Sequence, residues 1–344
     1  MAVVKSNAYG HGLVDFSKLV EKMGVDWFGV DSIIEAESLR KAGIKKPILV
    51  FGYTLPDKVS DAFLNDISLT VADLQTLKNL KNVVRNNKKL KIHLKIDTGM
   101  HRQGFFVSEI PEVIKILNSQ KSSLIIEGVY THFSSAKNPA FPSTTLAQLD
   151  EFKKATNLLE SAGFKNFLKH AAATAGTILF TQSHFDLVRV GIGFYGLWPS
   201  KETKESFRDK IKLKPVLSWK TTISQIKRLP KGSKIGYDLT ESVNRSSQVA
   251  ILPVGYWHGL PRSLSSIGRI LVNGNEAKIL GRISMDMTSI DVTDIKNIKI
   301  GDEVILLGQS DKLENSADDL AYLSDTINYE IVTRLNPLIK RVVI

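Results

Sequence analysis

The chain has 344 residues, 43% of them hydrophobic, which is enough to bury one large core or two, and the usual span of about 100 to 200 residues per domain favours two. It contains no cysteine, which excludes disulfides, thiolate catalysis and cysteine-ligated zinc, and is compatible with a reducing compartment. Lys and Arg total 46 against 35 Asp and Glu, a formal net charge of +11.

In chain order, eight β-rich runs alternate with helical periodicity: Ala2 to Lys5, Trp27 to Val30, Pro47 to Phe51, Ile67 to Val71, Leu90 to Ile96, Ile125 to Thr131, Phe167 to His170 and Leu187 to Val190. Between them lie amphipathic segments. GLVDFSKLVEKMG is expected to bury Leu13, Phe16, Leu19, Val20 and Met23, and TTLAQLDEFKKATNLLESAGF to bury Leu146, Leu149, Phe152, Leu158 and Leu159. Ser32 with Glu35, right after the strand FGVD, carries a capping-box signature. Eight β/α units in a row predict a closed (β/α)₈ barrel. An open doubly wound sheet is the alternative, weakened because no GxGxxG follows the first strand. After Pro199 the segments KPVLSWKTTISQIKRL, SSQVAILPVG, GRILVNGNEAKILGRISMDMTSIDV and GDEVILLG are β-rich with turn pairs and little helical period. The reading is α/β plus β: a TIM-like barrel over residues 1–205 and a mostly β domain over 206–344, divided in the polar, proline-marked stretch WPSKETKESFRDK.

The lysines occur as singles and pairs (Lys45-Lys46, Lys88-Lys89, Lys153-Lys154) without a basic block or interleaved aromatics, so they read as a solvated surface rather than a nucleic-acid site. The seven histidines show no HxxxH or HExxH spacing, and no metal site is expected. No uninterrupted apolar run of about 18 residues and no basic-then-apolar start occur, so neither a spanning helix nor a signal peptide is expected and the protein is read as cytoplasmic.

In a barrel, active-site groups project from the C-terminal ends of strands. The residues at those ends are Lys5, Lys95, His132, His170 and Arg189. A lysine there can act as a Schiff-base nucleophile, because partial desolvation lowers an amine's pKa; taken alone, Lys5 is weak support among so many cations. In VRVGIGFYG, Gly191 and Ile192 follow Arg189 where backbone N–H groups can approach a phosphate, although a glycine pair is equally a tight turn.

The motif AVVKSNAYGHG resembles the pyridoxal-phosphate signature of the alanine racemases, and the likeness continues through HLKIDTGMHRQG, YTHFSSA, VRVGIGFYG, LPVGYWHGLPR and GRISMDMTSIDV, nearly the whole chain. The resemblance implies an N-terminal (β/α)₈ barrel, a C-terminal β domain and a homodimer whose active sites combine residues of both subunits. It implies a racemase that interconverts L- and D-alanine and supplies D-alanine for peptidoglycan. Lys5 would hold the cofactor, pyridoxal 5'-phosphate, covalently and serve as base on the D face of the substrate. Tyr256, from the other subunit, would be the base on the L face, since racemisation needs bases on opposite sides of one Cα. Arg189 would face the pyridine nitrogen and keep it unprotonated. His132 would link Arg189 to Tyr256; without the motif it reads as a satisfied strand-end histidine. Arg102 and the backbone N–H of Met285 would bind the substrate carboxylate. Lys95 stands where many members carry a carbamylated lysine. Tyr9, Thr174, Gly191 and Ile192 match the donors to the cofactor phosphate.

Departures from the family pattern bear on substrate range. Trp257 and His258 stand in the middle of the usual GYxDG, Lys137 stands where an acidic residue is frequent at the entrance, and TRLNPLIKR lacks a common tyrosine; Ala173, where an asparagine is common, instead implies one cofactor contact fewer. The family also carries a strand and helix before the lysine motif, so a truncated sequence is expected. The alternatives are a racemase for serine, lysine or a broad set of amino acids, and an inactive or truncated pyridoxal-phosphate-binding paralogue. A single-barrel, non-catalytic cofactor carrier is disfavoured by the β domain.

Overall fold

The computed structural model describes residues 1–80, 89–121 and 123–344, so Lys88 of the Lys88-Lys89 pair lies outside the described residues. Two compact units are present: the first comprises Met1–Ala8 and Leu13–Lys214, the second Tyr9–Gly12 and Pro215–Ile344.

In the first unit seven parallel strands pair in chain order: β1 (Ala2–Val3), β2 (Phe28–Val30), β3 (Ile48–Val50), β4 (Ser68–Val71), β5 (Leu90–Lys95), β6 (Leu124–Tyr130) and β7 (Leu168–His170). The strands are short and mostly buried, as expected where helices cover one face and side chains fill the other. All seven coincide with expected runs to within a residue or two. The eighth expected run, Leu187 to Val190, forms no strand. It contributes one parallel bridge, Ala2 to Val190, with Val3 N–H donating to Val190 O (2.9 Å) and Val190 N–H to Met1 O (3.0 Å).

The first strand stops before Lys5 because the chain turns left-handed. Ser6, Asn7, Ala8 and Tyr9 all have φ between 51° and 56°, and Ala8 N–H closes onto Val4 O at 2.8 Å. Four such residues without a glycine form a strained turn for L-amino acids.

The helix Leu13–Lys22 buries Ser17 and Val20 but exposes Leu19 (44%), and Met23 (76%), just past its end, is exposed too, against expectation. The helix Ser143–Ser161 buries Thr145, Gln148, Leu149, Phe152, Ala155, Thr156 and Leu159, while Leu146 and Leu158 are exposed. In both, polar side chains take some of the inward positions, and Leu19, Leu146 and Leu158 flank the buried stripe. Gln148 accepts the N–H of Ser134 (2.9 Å). The Ser32 cap is present, its Oγ accepting Glu35 N–H at 3.3 Å, but the Glu35 carboxylate does not return to Ser32. It accepts Asn7 N–H (3.2 Å) and Asp31 N–H (3.0 Å) instead.

The second unit holds β8 (Trp219–Thr222), β9 (Gln225–Leu229), the two-stranded ribbon β10 (Lys234–Ile235) and β11 (Glu241–Ser242), then β12 (Ser247–Leu252), β13 (Arg269–Val272), β14 (Asn275–Leu280), β15 (Thr288–Asp291), β16 (Glu303–Ser310) and β17 (Leu313–Asn315). The main sheet is antiparallel, in the order β17-β16-β13-β14-β15-β12-β9, with β8 on β16. Asn273 and Gly274, both left-handed, close the β13–β14 hairpin in the two-residue loop that such sequences favour. Ile235, Val243, Val249 and Leu280 form one apolar cluster of this unit. Among the described residues no helix is long and apolar enough to cross a membrane.

Candidate active site

In the first unit the strand ends gather the expected cations. Arg189, 3% exposed, donates through Nη1 to His170 Nδ1 (2.8 Å) and His170 O (3.0 Å), and through Nη2 to Thr131 O (2.6 Å), Ala171 O (2.8 Å) and His132 Nδ1 (3.4 Å). Its guanidinium lies 5.2 Å from the centre of the Tyr130 ring. Burial pulls its pKa down to about 10, which leaves it charged at neutral pH. His132 is pulled down to about 3 by burial first and then by Arg189, Arg102, Lys95 and Lys5. It is therefore neutral, and because Nδ1 accepts from Arg189 the proton sits on Nε2, ready to donate.

Lys5 Nζ pairs with Asp31 Oδ1 at 3.4 Å and keeps 39% of its side chain exposed. Glu35 ties this corner together, since its carboxylate accepts the N–H of Asn7 in the lysine turn and of Asp31 in the ion pair. Asn7 Oδ1 in turn accepts Leu13 N–H at 2.9 Å.

Lys95, 6% exposed, donates to Gln103 Oε1 (3.1 Å). Burial, then Arg102 and Arg189, pull its pKa down to about 8 against the opposing pull of Asp97. The loop carrying Arg102 and Gln103 is closed by Asp97 N–H on Phe105 O and Phe105 N–H on Lys95 O, both 2.9 Å. Within it the Asp97 carboxylate accepts the N–H groups of Gly99, Met100 and His101. Arg102 itself is exposed.

Thr174 begins a short helix whose cap position, Ala173, has no side-chain acceptor, so the first-turn amides are left without a cap. The Thr174 hydroxyl instead accepts Gly191 N–H (3.1 Å) and Gly193 N–H (3.3 Å). A Cβ at Gly193 would stand 2.7 Å from Thr174 Cγ2, so only glycine lets these segments close. Ile192, between the two glycines, is buried, and no acceptor among the described residues takes its N–H. Thr174, Gly191 and Ile192 thus lie together, with the Gly191 N–H taken up by the Thr174 hydroxyl.

In the second unit Tyr256 and Trp257 lie on a single turn, Tyr256–His258, and are 42% and 58% exposed. Tyr256 N–H donates to Ser284 O (3.1 Å) and Trp257 N–H to Met285 O (3.0 Å); a Cβ at Gly255 would stand 2.1 Å from Ser284 O. His258 Nδ1 accepts Gly255 N–H at 3.2 Å, so the histidine supplies the acceptor that holds the turn. The Met285 N–H has no acceptor among the described residues. Tyr9 packs its ring 6.2 Å from that of Tyr329, and Gly10 approaches the Val332 carbonyl so closely that a Cβ would be 1.9 Å from its oxygen. Arg341 holds the same segment through two N–H bonds to Gly10 O.

Comparison with known proteins decides what this assembly belongs to. The family profile described as "Alanine racemase, N-terminal domain" matches residues 1–199, and "Alanine racemase, C-terminal domain" matches 216–343. The alanine racemase of Leptospira interrogans (serovar Lai) is 39% identical over 349 residues, covering 100% of this chain and 88% of that protein, and that of Halothermothrix orenii is 40% identical over 342, covering 99% and 89%. The crystal structure of alanine racemase from Bacillus anthracis with bound L-Ala-P superposes with a TM-score of 0.91 at 35% identity, covering 97% of this chain and 85% of that one.

The chain belongs to the alanine racemase family. It is an isomerase with alanine racemase activity, and the resemblance read from AVVKSNAYGHG onward extends along its full length. Within the frame of an alanine racemase, sequence reading missed Asp31, Glu35, Gln103 and Tyr329. The capping signature Ser32 with Glu35 pointed at the right carboxylate but at the wrong partner. For Gln103, its place beside Arg102 in HRQG was the available signal. Nothing local marked Tyr329.

Proposed function

We propose that this alanine racemase works with pyridoxal 5'-phosphate, held covalently by Lys5, and that two copies of the chain complete each active site. The eighth side of the barrel would be the segment Leu187 to Val190, a reading supported by its bridge to Ala2, and the cofactor-binding domain would span 1–205 with the β domain over 206–344. The observation that carries the cofactor assignment is Arg189: a buried cation whose hydrogen bonds go to three carbonyls and imidazole nitrogen, with no carboxylate among them. Such a donor suits a neutral, unprotonated ring nitrogen.

The donor set at the other end fits a phosphate. The Thr174 hydroxyl accepts two amides and so points its own proton outward, and the N–H of Ile192 has no acceptor. Tyr9 would add a phenol. Pyridoxal phosphate, when bound, supplies a carbonyl that condenses with the substrate amine and a conjugated ring that acidifies the α-hydrogen.

Lys5 would remove or return the proton at Cα on the D face, and Asp31 at 3.4 Å holds its amine in place. Tyr256 of a second copy would do the same on the L face, with the Nε2–H of neutral His132 donating to the phenol oxygen and so favouring its ionised form. Arg102 and the Met285 N–H of the second copy would take the substrate carboxylate. The exposure of Tyr256, Trp257, Met285 (54%) and Met287 (58%) on one face of the second unit supports the dimer. Lys95 would be carbamylated: an amine brought to about 8 is partly neutral near physiological pH, adds to carbon dioxide and loses a proton. The anion so formed relieves the crowding of Lys95 with Arg102 and Arg189.

Tyr256→Phe tests the two-base assignment. The enantiomers are equal in free energy, so kcat/KM falls equally in both directions, and hydrogen exchange at Cα is the sharper readout. The variant should still exchange the α-hydrogen of D-alanine with deuterated solvent while exchange from L-alanine falls about a hundredfold. Equal loss from both enantiomers would remove the assignment.

A further inference from the structure

Behind Arg189 lies a row of side chains that the steps above do not use. A guanidinium has donors only, so His170 Nδ1, 2.8 Å from Arg189 Nη1, must offer a lone pair. A neutral His170 then carries its proton on Nε2, which lies 2.9 Å from His93 Nδ1. The same rule places the His93 proton on Nε2, which makes no hydrogen bond among the described residues but lies 3.5 Å from the Oε2 of Glu127, the acidic group at the end of the row. Glu127 also accepts the Ser68 hydroxyl and has Lys91 Nζ 3.9 Å from Oε1.

Both imidazoles are completely buried, and burial holds both below the ordinary histidine range, so both are neutral. Burial would raise the Glu127 carboxyl, but its interactions with His93, Ser68 and Lys91 outweigh it and hold it below the usual range, so it is charged. The sheet makes room for the row. Gly128 is the register partner of His93, and a Cβ there would stand 2.2 Å from His93 Nδ1. The Tyr130 ring covers His170 in a parallel stack, 4.8 Å between centres and 6° between planes.

A buried polar row can serve packing alone. This one has a direction that packing does not require: each link admits one proton arrangement, set from one end by Arg189 and from the other by Glu127. The opposite arrangement would aim a His170 N–H at a guanidinium N–H. We propose that Glu127 is a positioning residue of the racemase, which acts through His93 and His170 to fix the lone pair turned toward Arg189 and so holds the guanidinium in place for the cofactor ring nitrogen. The inference rests on the assignment of Arg189 to the cofactor. Without the Glu127 carboxylate, the buried His93 N–H loses the charge it faces, and the row can relieve this only by shifting both protons toward Arg189, which sets a His170 N–H against the guanidinium and displaces it.

The test begins on the cofactor-free protein with long-range ¹H–¹⁵N spectra of the histidine rings. Wild type should show His93 and His170 both protonated on Nε2 at neutral pH. Glu127→Met should lose that arrangement, and its kcat should fall about tenfold with KM for alanine within about twofold, as coupling through a contiguous network predicts. Glu127→Gln, which keeps an acceptor oxygen, should restore the arrangement and most of the turnover. A wild-type His170 protonated on Nδ1, or a Glu127→Met protein with wild-type ring spectra or wild-type kcat, overturns the proposal. Arg189→Lys examines the underlying reading separately: unchanged absorbance of the bound cofactor in that variant would remove Arg189 from the cofactor site whatever the histidines do.

Discussion

Replacing Glu35 by alanine should loosen the lysine turn that it holds from the neighbouring strand end. Four left-handed residues, Ser6 to Tyr9, cost roughly 1–2 kcal/mol each relative to ordinary backbone, about 4–8 kcal/mol together. Against this stand the Ala8 N–H bond to Val4 O, the Leu13 N–H bond to Asn7 Oδ1, and the Asn7 N–H bond to Glu35 Oε1. A backbone N–H bonded to a charged oxygen contributes about 1.5–3 kcal/mol, and the lower end applies here because the side chain is only half-buried. Alanine removes the acceptor for Asn7 and for Asp31, so about 2 kcal/mol should be lost at the turn, equivalent to about thirtyfold in cofactor affinity. Glutamine keeps one acceptor oxygen and should fall between. Absorbance titration of the cofactor-free protein with pyridoxal phosphate gives the affinity, and urea unfolding gives the stability. An alanine variant within about threefold of wild type in affinity and within about 0.5 kcal/mol in stability would show that the turn is held without Glu35.

Asp97 should make stability pH-dependent. Burial would raise its carboxyl, but the N–H groups of Gly99, His101 and Met100 and the nearby His101 charge outweigh it and lower the pKa. A lowered folded-state value means that the contribution is fully present above the unfolded value of about 4 and is lost as pH falls through the folded one. Asp97→Asn should cost about 2 kcal/mol in urea unfolding at neutral pH, and its gap from wild type should narrow in acid. Intact-mass spectrometry in bicarbonate buffer should find the carbamyl group on Lys95 and lose it in Lys95→Arg; an unmodified wild-type protein would refute the modification.

The parts of the fold that were legible in the sequence are those set by local pattern. Runs such as Leu90 to Ile96 are apolar and β-branched enough to be read as buried strands, and each of the seven that form is followed by a helical segment. Leu187 to Val190 looks the same in sequence, yet its contribution is one bridge, because pairing depends on a strand 188 residues away rather than on its own composition. The left-handed turn was illegible: only Asn7 among Ser6 to Tyr9 belongs to a type that tolerates that region, and no glycine marks it. The site divides in the same way. Lys5, Lys95 and His132 fall at or just past the C-terminal ends of parallel strands, and Arg189 lies in the run Leu187 to Val190, which was legible as a strand but forms only a bridge. Glu127 lies inside the apolar run LIIEGVY, and its importance depends on His93 of the neighbouring strand and on the space left by Gly128.

The zipper between the Tyr256 turn and the Ser284–Met285 loop also has a mechanical consequence. Because the Tyr256 and Trp257 amides are clamped to the carbonyls of Ser284 and Met285, and Gly255 leaves no space between the two backbones, the phenol and the Met285 amide share one degree of freedom. In the dimer proposed above they would arrive together or not at all, and a pocket holding one and lacking the other would not be an available state. Any side chain placed at Gly255 would disable both at a single stroke.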